Sequence, residues 1–291
     1  MWLIPFLLLQ AADSDSNESP HLAKNAFYRE LREVGVEVAP DHQIKLPKPF
    51  LADGLDAAAQ RKLIEELGGR RYRWDLLTRE SVVAPQIILL SEERIPESDI
   101  KARIADVYFV AYGDFGAIAE SGELTQPGSK GNQQWKPLSA EELAKRNITI
   151  DDAKHVSYGW ISHDLIDRVK VSAALKTQWS QTDESLIATA ALEPRFDGDA
   201  EFPNRWQPLI RGRKGMEPGE PRPYQGVGGY TKITRLKSPS GAFFVESHLV
   251  FAEPHAWFDG ANLLGSKLPA AIQHEVRSTR REMIEVSRKK E

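Results

Sequence analysis

An apolar stripe near the end of the chain sets the strongest limit on the fold. Its members recur at spacings of four, four, three, four and three residues: Leu268, Ile272, Val276, Thr279, Met283 and Val286. That spacing places one apolar face along about five turns of α-helix, and we expect the helix to run from Pro269 to Arg288. So long a stripe must pack on another apolar surface, and the strands that precede it in the chain are the only large candidate.

The second half of the chain is rich in predicted strands. From Val169 to Trp179 apolar and polar residues alternate, which predicts a half-buried antiparallel strand that returns over 186–192. A second hairpin is predicted from a strand over 230–236, a turn over 238–241 and a long strand over 242–253.

Between these two hairpins lies a segment rich in Pro and Gly, residues 194–226. We expect it to form a long irregular loop, and loops of that length in compact domains often act as lids or binding loops. Trp206 and Tyr224 lie within it and are the aromatic side chains that we expect to contact something outside the protein.

The first half of the chain predicts a mixture of helices and strands. The elements are helices over 21–34 and 55–67, strands over 86–90 and 107–112, and an exposed loop over 121–137. Asp53 is the expected N-cap of the second helix. The strand over 86–90 is short, branched and preceded by Pro85, which favours a buried position. Ser139 and Glu142 form a capping box, so a short helix is expected to follow.

Composition excludes several classes of function. The chain has 291 residues, no Cys and a formal net charge of -4. Without Cys it can form no disulfide, Cys-based zinc site, iron–sulfur cluster or thiol nucleophile. A mildly acidic chain has no overall attraction for nucleic acid. No P-loop, dinucleotide fingerprint, nucleophile elbow or zinc-protease motif is present, and we expect no cofactor and no metal ion.

The N-terminus predicts export. An apolar run over 2–9 is too short to span a bilayer, and the small residues up to Ala12 suit cleavage of a signal peptide over 1–12. The alternative is a buried N-terminal strand. Residues 13–20 are expected to be a flexible polar spacer, and 21–291 a single domain without a transmembrane segment.

The order of elements resembles the helix-grip fold of the START-like lipid-binding superfamily. Three segments carry the resemblance: Gly229–Leu236, Gly241–Phe251 and Leu268–Arg277. It covers residues 22–288 and implies an α+β fold in which a curved antiparallel sheet grips the long C-terminal helix. It also implies that a hydrophobic ligand sits between the sheet and the helix.

Six residues are the candidates to bind such a ligand: Tyr230, Phe244, Glu246, His248, Ile272 and Met283. Alternation along the strand over 242–253 places Phe244, Glu246 and His248 on one face. If that face turns inward, Glu246 and His248 would orient a ligand's head group. The opposite face of the strand is the more apolar, which favours solvent for Glu246 and His248.

Three functions remain open at this point. The first is an exported protein that binds a hydrophobic small molecule or lipid without catalysis. The second is a secreted hydrolase, with or without a metal ion, that uses His163 and Asp167 or His248 and His255. Asp167 and its neighbours are more simply interpreted as turn residues. The third is a structural or interaction protein of the cell envelope.

Overall fold

The computed structural model describes residue 22 and residues 24–121, 134–152, 155–212 and 215–288. Its first half contains α1 (Ala26–Glu33), β1 (Val36–Ala39), β2 (His42–Ile44), α2 (Ala57–Gly68), α3 (Trp74–Leu77), β3 (Gln86–Arg94), β4 (Ile100–Tyr112), α4 (Phe115–Ser121), β5 (Gln134–Pro137) and α5 (Ala140–Ala144). Its second half contains β6 (Val156–Leu165), β7 (Val169–Gln181), β8 (Ser185–Leu192), β9 (Arg205–Gly212), β10 (Gly215–Pro218), β11 (Arg222–Pro223), β12 (Val227–Arg235), β13 (Ala242–Pro254) and α6 (Leu263–Arg288). The predicted signal peptide over 1–12, the predicted spacer over 13–20 and most of the predicted loop over 121–137 lie outside the described residues.

Eleven strands form one antiparallel sheet in the order β10-β9-β7-β8-β12-β13-β4-β3. β6 pairs along most of β7 and carries β5 on its other side, and β11 pairs with β9. The β6–β7 hairpin turns at Ile166 and Asp167, which both have positive φ as a type I′ turn requires. The predicted α+β class, a large antiparallel sheet followed by a long C-terminal helix, is confirmed.

One side of the sheet, which we call the helix face, packs against α6. Val276 and Met283 of α6 share an apolar cluster with Phe109 of β4 and with Phe243 and Val245 of β13. The helix begins at Leu263, earlier than predicted. The side chain of Asn262 accepts a hydrogen bond from the Gly265 N–H at 3.0 Å and so caps its first turn.

A buried arginine fastens α6 to the sheet. The Arg280 guanidinium donates to the carbonyl of Val110 at 2.8 Å and to the carbonyls of Ala84 and Pro85 at 2.5 and 2.9 Å. Burial, together with the positive charge of Arg277, lowers the pKa of Arg280 to about 10. The side chain therefore remains a cation at neutral pH, and it is held by main-chain dipoles over the Phe109 ring.

The other side of the sheet, which we call the N-terminal face, is covered by the first part of the chain. Leu51, Ile64 and Leu77 pack there against Tyr108 and Phe244. β13 is consequently buried on both of its faces along most of its length. The expectation that Glu246 and His248 face solvent is wrong, since they are 0% and 2% exposed beneath this layer.

The segment over 194–226 is not a long irregular loop. It contains a single turn of 3₁₀-helix at Pro194–Phe196 and the strands β9, β10 and β11. Trp206 and Tyr224 are each only 3% exposed, and both rings pack around Trp257 at centroid distances of 6.4 and 5.7 Å. The expectation that they contact an external partner is therefore wrong, and so is the expectation of a lid.

Two local expectations for the first half are also corrected. The N-cap of α2 is Asp56, whose side chain accepts from the Ala59 N–H at 2.8 Å, and not Asp53. The strand β3 lies at the edge of the sheet, and most of its residues beyond Ile88 are exposed rather than buried. By contrast, the capping box of Ser139 and Glu142 is present as predicted.

No helix in the described part of the chain combines the length and the apolar character needed to cross a bilayer.

Replacing Arg280 with Met is expected to lower the free energy of unfolding by about 3 kcal/mol, because several buried carbonyls lose their charged donor. Urea denaturation of the purified variant measures the loss. Arg281→Met is the matched control, since Arg281 is exposed one residue further along α6, and it should change stability by less than about 0.5 kcal/mol. Equal losses in the two variants would contradict the anchoring role of Arg280.

Candidate functional site

A groove of about 270 Å³ opens on the helix face of the sheet. Strands β5, β7, β8, β12 and β13 supply its lining, which consists of Trp135, Leu175, Thr177, Ala188, Ala190, Ala191, Val227, Gly228, Gly229, Tyr230, Thr231, Ser247, His248 and Leu249. Ala188 belongs both to this lining and to the apolar cluster under α6. At Ala188 the groove therefore adjoins the apolar cluster that includes Val276 and Met283 of α6, and no residue of α6 itself lines the groove.

Short side chains make the space for the groove. Ala188, Ala190, Gly229 and Ser247 lie on three neighbouring strands and project little from the sheet. At Gly229 a Cβ atom would lie 2.2 Å from the main-chain oxygen of His248, so a larger residue cannot be accommodated without moving β12 or β13. Small residues at alternating strand positions are the sequence signal that could have located this surface.

The wall opposite β13 is formed by an aromatic ring on β5. The Trp135 ring lies over Gly159 of β6, where a Cβ atom would come within 2.2 Å of it. β5 and β13 are five positions apart in the sheet, which is about 24 Å in a flat sheet. Because Trp135 and Leu249 nevertheless line the same groove, the sheet curves around it.

The six residues predicted from the sequence to bind a ligand do not lie on one face of the sheet. They are Tyr230, Phe244, Glu246, His248, Ile272 and Met283. Ile272 and Met283 pack on the helix face, but neither lines the groove. Tyr230 and His248 border the groove only through the main chain, because their side chains point to the N-terminal face. Side chains two residues apart share a face, so the set centred on Glu246 cannot meet a ligand held beside α6.

On the N-terminal face, Glu246 and His248 belong to a buried polar network. The Glu246 carboxylate accepts the N–H of Phe50 at 2.5 Å and the N–H of Leu51 at 3.4 Å. His248 Nδ1 lies 2.7 Å from Asp106 Oδ1, and its Nε2 lies 3.5 Å from Glu246 Oε2. The Glu246 carboxylate thus joins β13 to the segment around Phe50 and Leu51, which covers this face of the sheet.

A buried lysine makes the second connection to the same segment. Lys232 is 0% exposed, donates to the Leu51 carbonyl at 2.5 Å and lies 3.1 Å from Asp53 Oδ1. The phenol of Tyr230 donates to the Pro47 carbonyl at 3.0 Å. Burial raises the pKa of Tyr230 well above its usual value, so this donor stays protonated. These contacts hold residues 47–53 on the sheet.

The histidine of this network has a raised pKa. Burial alone would lower the pKa of His248, but its hydrogen bonds to Asp106 and Glu246 and the charges of those carboxylates outweigh burial and raise it. The imidazolium form is therefore favoured in the folded protein. Because the ring is closed off from solvent, this arrangement stabilises the packing of the N-terminal segment and offers no surface to a substrate.

The histidines of the hydrolase hypothesis do not come together. His255 is exposed beyond the end of β13, about 20 Å along the strand from His248. His163 is exposed on β6, and Asp167 occupies the turn that follows. Among the residues that the structure describes, no three His, Asp or Glu side chains are grouped so that they could hold a metal ion.

The chain is similar in architecture to two human proteins of known structure. The StarD13 (DLC2) lipid transfer and protein localization domain matches at 9% identity and a TM-score of 0.35, over 66% of this chain and 89% of that domain. STARD10 matches at 8% identity and a TM-score of 0.35, over 78% of this chain and 82% of that chain. Both are START domains, the superfamily that the element order resembles. At these values the likeness concerns the fold alone and carries no information about ligand, partner or activity.

No protein-family model matches the chain, and no curated protein matches it by sequence.

The His248 network makes a prediction about pH. A group whose folded-state pKa is raised stabilises the protein fully below its unfolded pKa, about 6.5, and this contribution is lost as pH rises through the folded pKa. The wild-type free energy of unfolding should therefore fall as the pH rises above about 6.5 and through the raised folded-state pKa, and His248→Gln should remove much of that fall. Urea denaturation at a series of pH values upward from about 6.5 measures it. His255→Gln changes an exposed histidine and should keep the wild-type dependence of stability on pH. If His248→Gln also keeps that dependence, His248 is not the group responsible for it.

Proposed function

We propose that this protein binds an apolar, lipid-like molecule in the groove beside α6 and performs no catalysis on it. The observation that carries the proposal is the lining of the groove. Its side chains are aliphatic, small or aromatic, with a few hydroxyl groups and no grouping of acid, base and nucleophile. A concave, mostly apolar surface with a few polar groups is the usual form of a small-molecule site.

The size of the groove limits the ligand. Its volume of about 270 Å³ lies at the lower end of the range of small-molecule sites, about 300–1,000 Å³. That suits one hydrocarbon chain or one compact apolar molecule better than a lipid with two chains. The groove is open to solvent, so the end of a longer ligand would project out of it.

The packing of α6 supports the same proposal. Val276, Arg280 and Met283 are buried in the C-terminal half of the helix, and Leu264 is buried at its start, whereas Leu268 and Ile272 between them are only half-buried. A ligand chain that projects from the groove onto this stripe would gain burial free energy, at about 25 cal/mol per Å² of apolar surface that it covers.

The proposal also includes export of the protein. The support for export is the apolar run over 2–9 followed by small residues up to Ala12, which has the length and order of a signal peptide. Mass spectrometry of the mature protein recovered from its native host would find an N-terminus near residue 13. Retention of residues 2–12 in that protein would contradict cleavage.

Filling the groove tests the binding site. Ala190→Trp places an indole ring among the lining residues and should weaken binding of the uncharged dye Nile red at least about tenfold, because the dye loses its space. Fluorescence titration measures the affinity, and circular dichroism checks that the variant is folded. Leu89→Trp is the control, since it adds the same ring at an exposed position of the edge strand β3 and should bind the dye like wild type. Equal affinity of Ala190→Trp and wild type would place the site elsewhere.

A further inference from the structure

The groove carries no net charge on its walls. Of the lining residues that the structure describes, none is Asp, Glu, Lys or Arg, and the His248 ring points to the opposite face. An ionised carboxylate or phosphate bound against these walls would lose its hydration without gaining a partner, which costs several kcal/mol. The walls therefore disfavour a charged group.

Arg103, a cation on the helix face of β4, is already paired with carboxylates. Arg103 lies opposite Phe251 in the β4–β13 register, one same-face position beyond Leu249. Its guanidinium bonds to the carboxylates of Glu92 and Glu253 and to the side chain of Asn262. With two carboxylates held so closely, Arg103 offers no positive charge to an anionic ligand.

Two of the hydroxyl groups that line the groove lie together on its floor. Thr231 of β12 and Ser247 of β13 lie directly opposite each other, and the Thr231 hydroxyl lies 3.0 Å from Ser247 Oγ. Both residues are half-buried and both line the groove. Each hydroxyl has one hydrogen to donate and two lone pairs, so the pair keeps one O–H and several lone pairs for a ligand after bonding to itself.

We propose that the groove selects an uncharged ligand that carries a hydroxyl or carbonyl group, and that Thr231 and Ser247 bind this group. The proposal rests on the proposed function and specifies its ligand class. A neutral hydroxyl can donate to and accept from the pair at little desolvation cost, whereas a carboxylate would keep its charge without a counterion. The preferred ligands are accordingly neutral lipids such as fatty alcohols and their esters, in preference to free fatty acids.

The test is displacement of Nile red by two ligands with the same hydrocarbon chain, 1-decanol and decanoate, at a mildly alkaline pH that keeps the acid ionised. We expect decanol to bind at least about tenfold more tightly than decanoate. In the double variant Thr231→Val, Ser247→Ala, affinity for decanol should fall roughly fivefold, because one hydrogen bond is lost. If the double variant unfolds, the single variants Thr231→Val and Ser247→Ala are measured instead, and the role of the pair requires decanol affinity to fall in at least one of them.

A matched control lies on the same strand. Thr234 of β12 is buried on the N-terminal face, and its hydroxyl has no hydrogen-bond partner in the described part of the chain, so Thr234→Val should fold normally and bind both ligands like wild type. Decanoate that binds as tightly as decanol would overturn the ligand class while leaving the proposed function intact. Unchanged decanol affinity in the folded hydroxyl variants would overturn the role of Thr231 and Ser247. If wild type binds neither Nile red nor decanol, the proposed function itself fails.

Discussion

A fully buried carboxylate and a fully buried ammonium group lie side by side at the centre of the sheet. Glu246 and Lys232 are direct partners on β13 and β12, and neither is exposed to solvent. Groups of this kind are tolerated in a protein interior only when other polar groups satisfy them. Residues 50–53 supply those groups, through the N–H of Phe50, the carbonyl of Leu51 and the carboxylate of Asp53. The first part of the chain is thus required to complete the sheet.

This requirement explains why the candidate site lies on the other side. The N-terminal face is closed by side chains and by the main chain of the covering segment, whereas α6 covers only part of the helix face. The remaining part of the helix face is formed by short side chains on β8, β12 and β13, and there a groove stays open. The sheet is thus sealed on one side and partly open on the other, and the open side provides a surface for a ligand.

Much of the fold could be predicted from local sequence signals. The spacing of Val276 and Met283 gave the helix and its buried face, and the hairpin over 230–253 followed from alternation around a Pro-Ser-Gly turn. The segment over 194–226 could not be predicted, because Pro normally argues against a strand. Its prolines are tolerated in β9, β10 and β11, which lie at the margin of the sheet, where the missing N–H is not always needed.

The sequence by itself determined which residues of β13 share a face, since a strand alternates with a period of two whatever surrounds it. It could not determine which face is covered by which part of the chain. Placing Glu246 and His248 inside depends on main-chain N–H groups nearly two hundred residues away, and the composition of the strand does not reveal them. The groove was likewise decided by tertiary structure, because Ala190, Thr231 and Trp135 become neighbours only when the sheet curves.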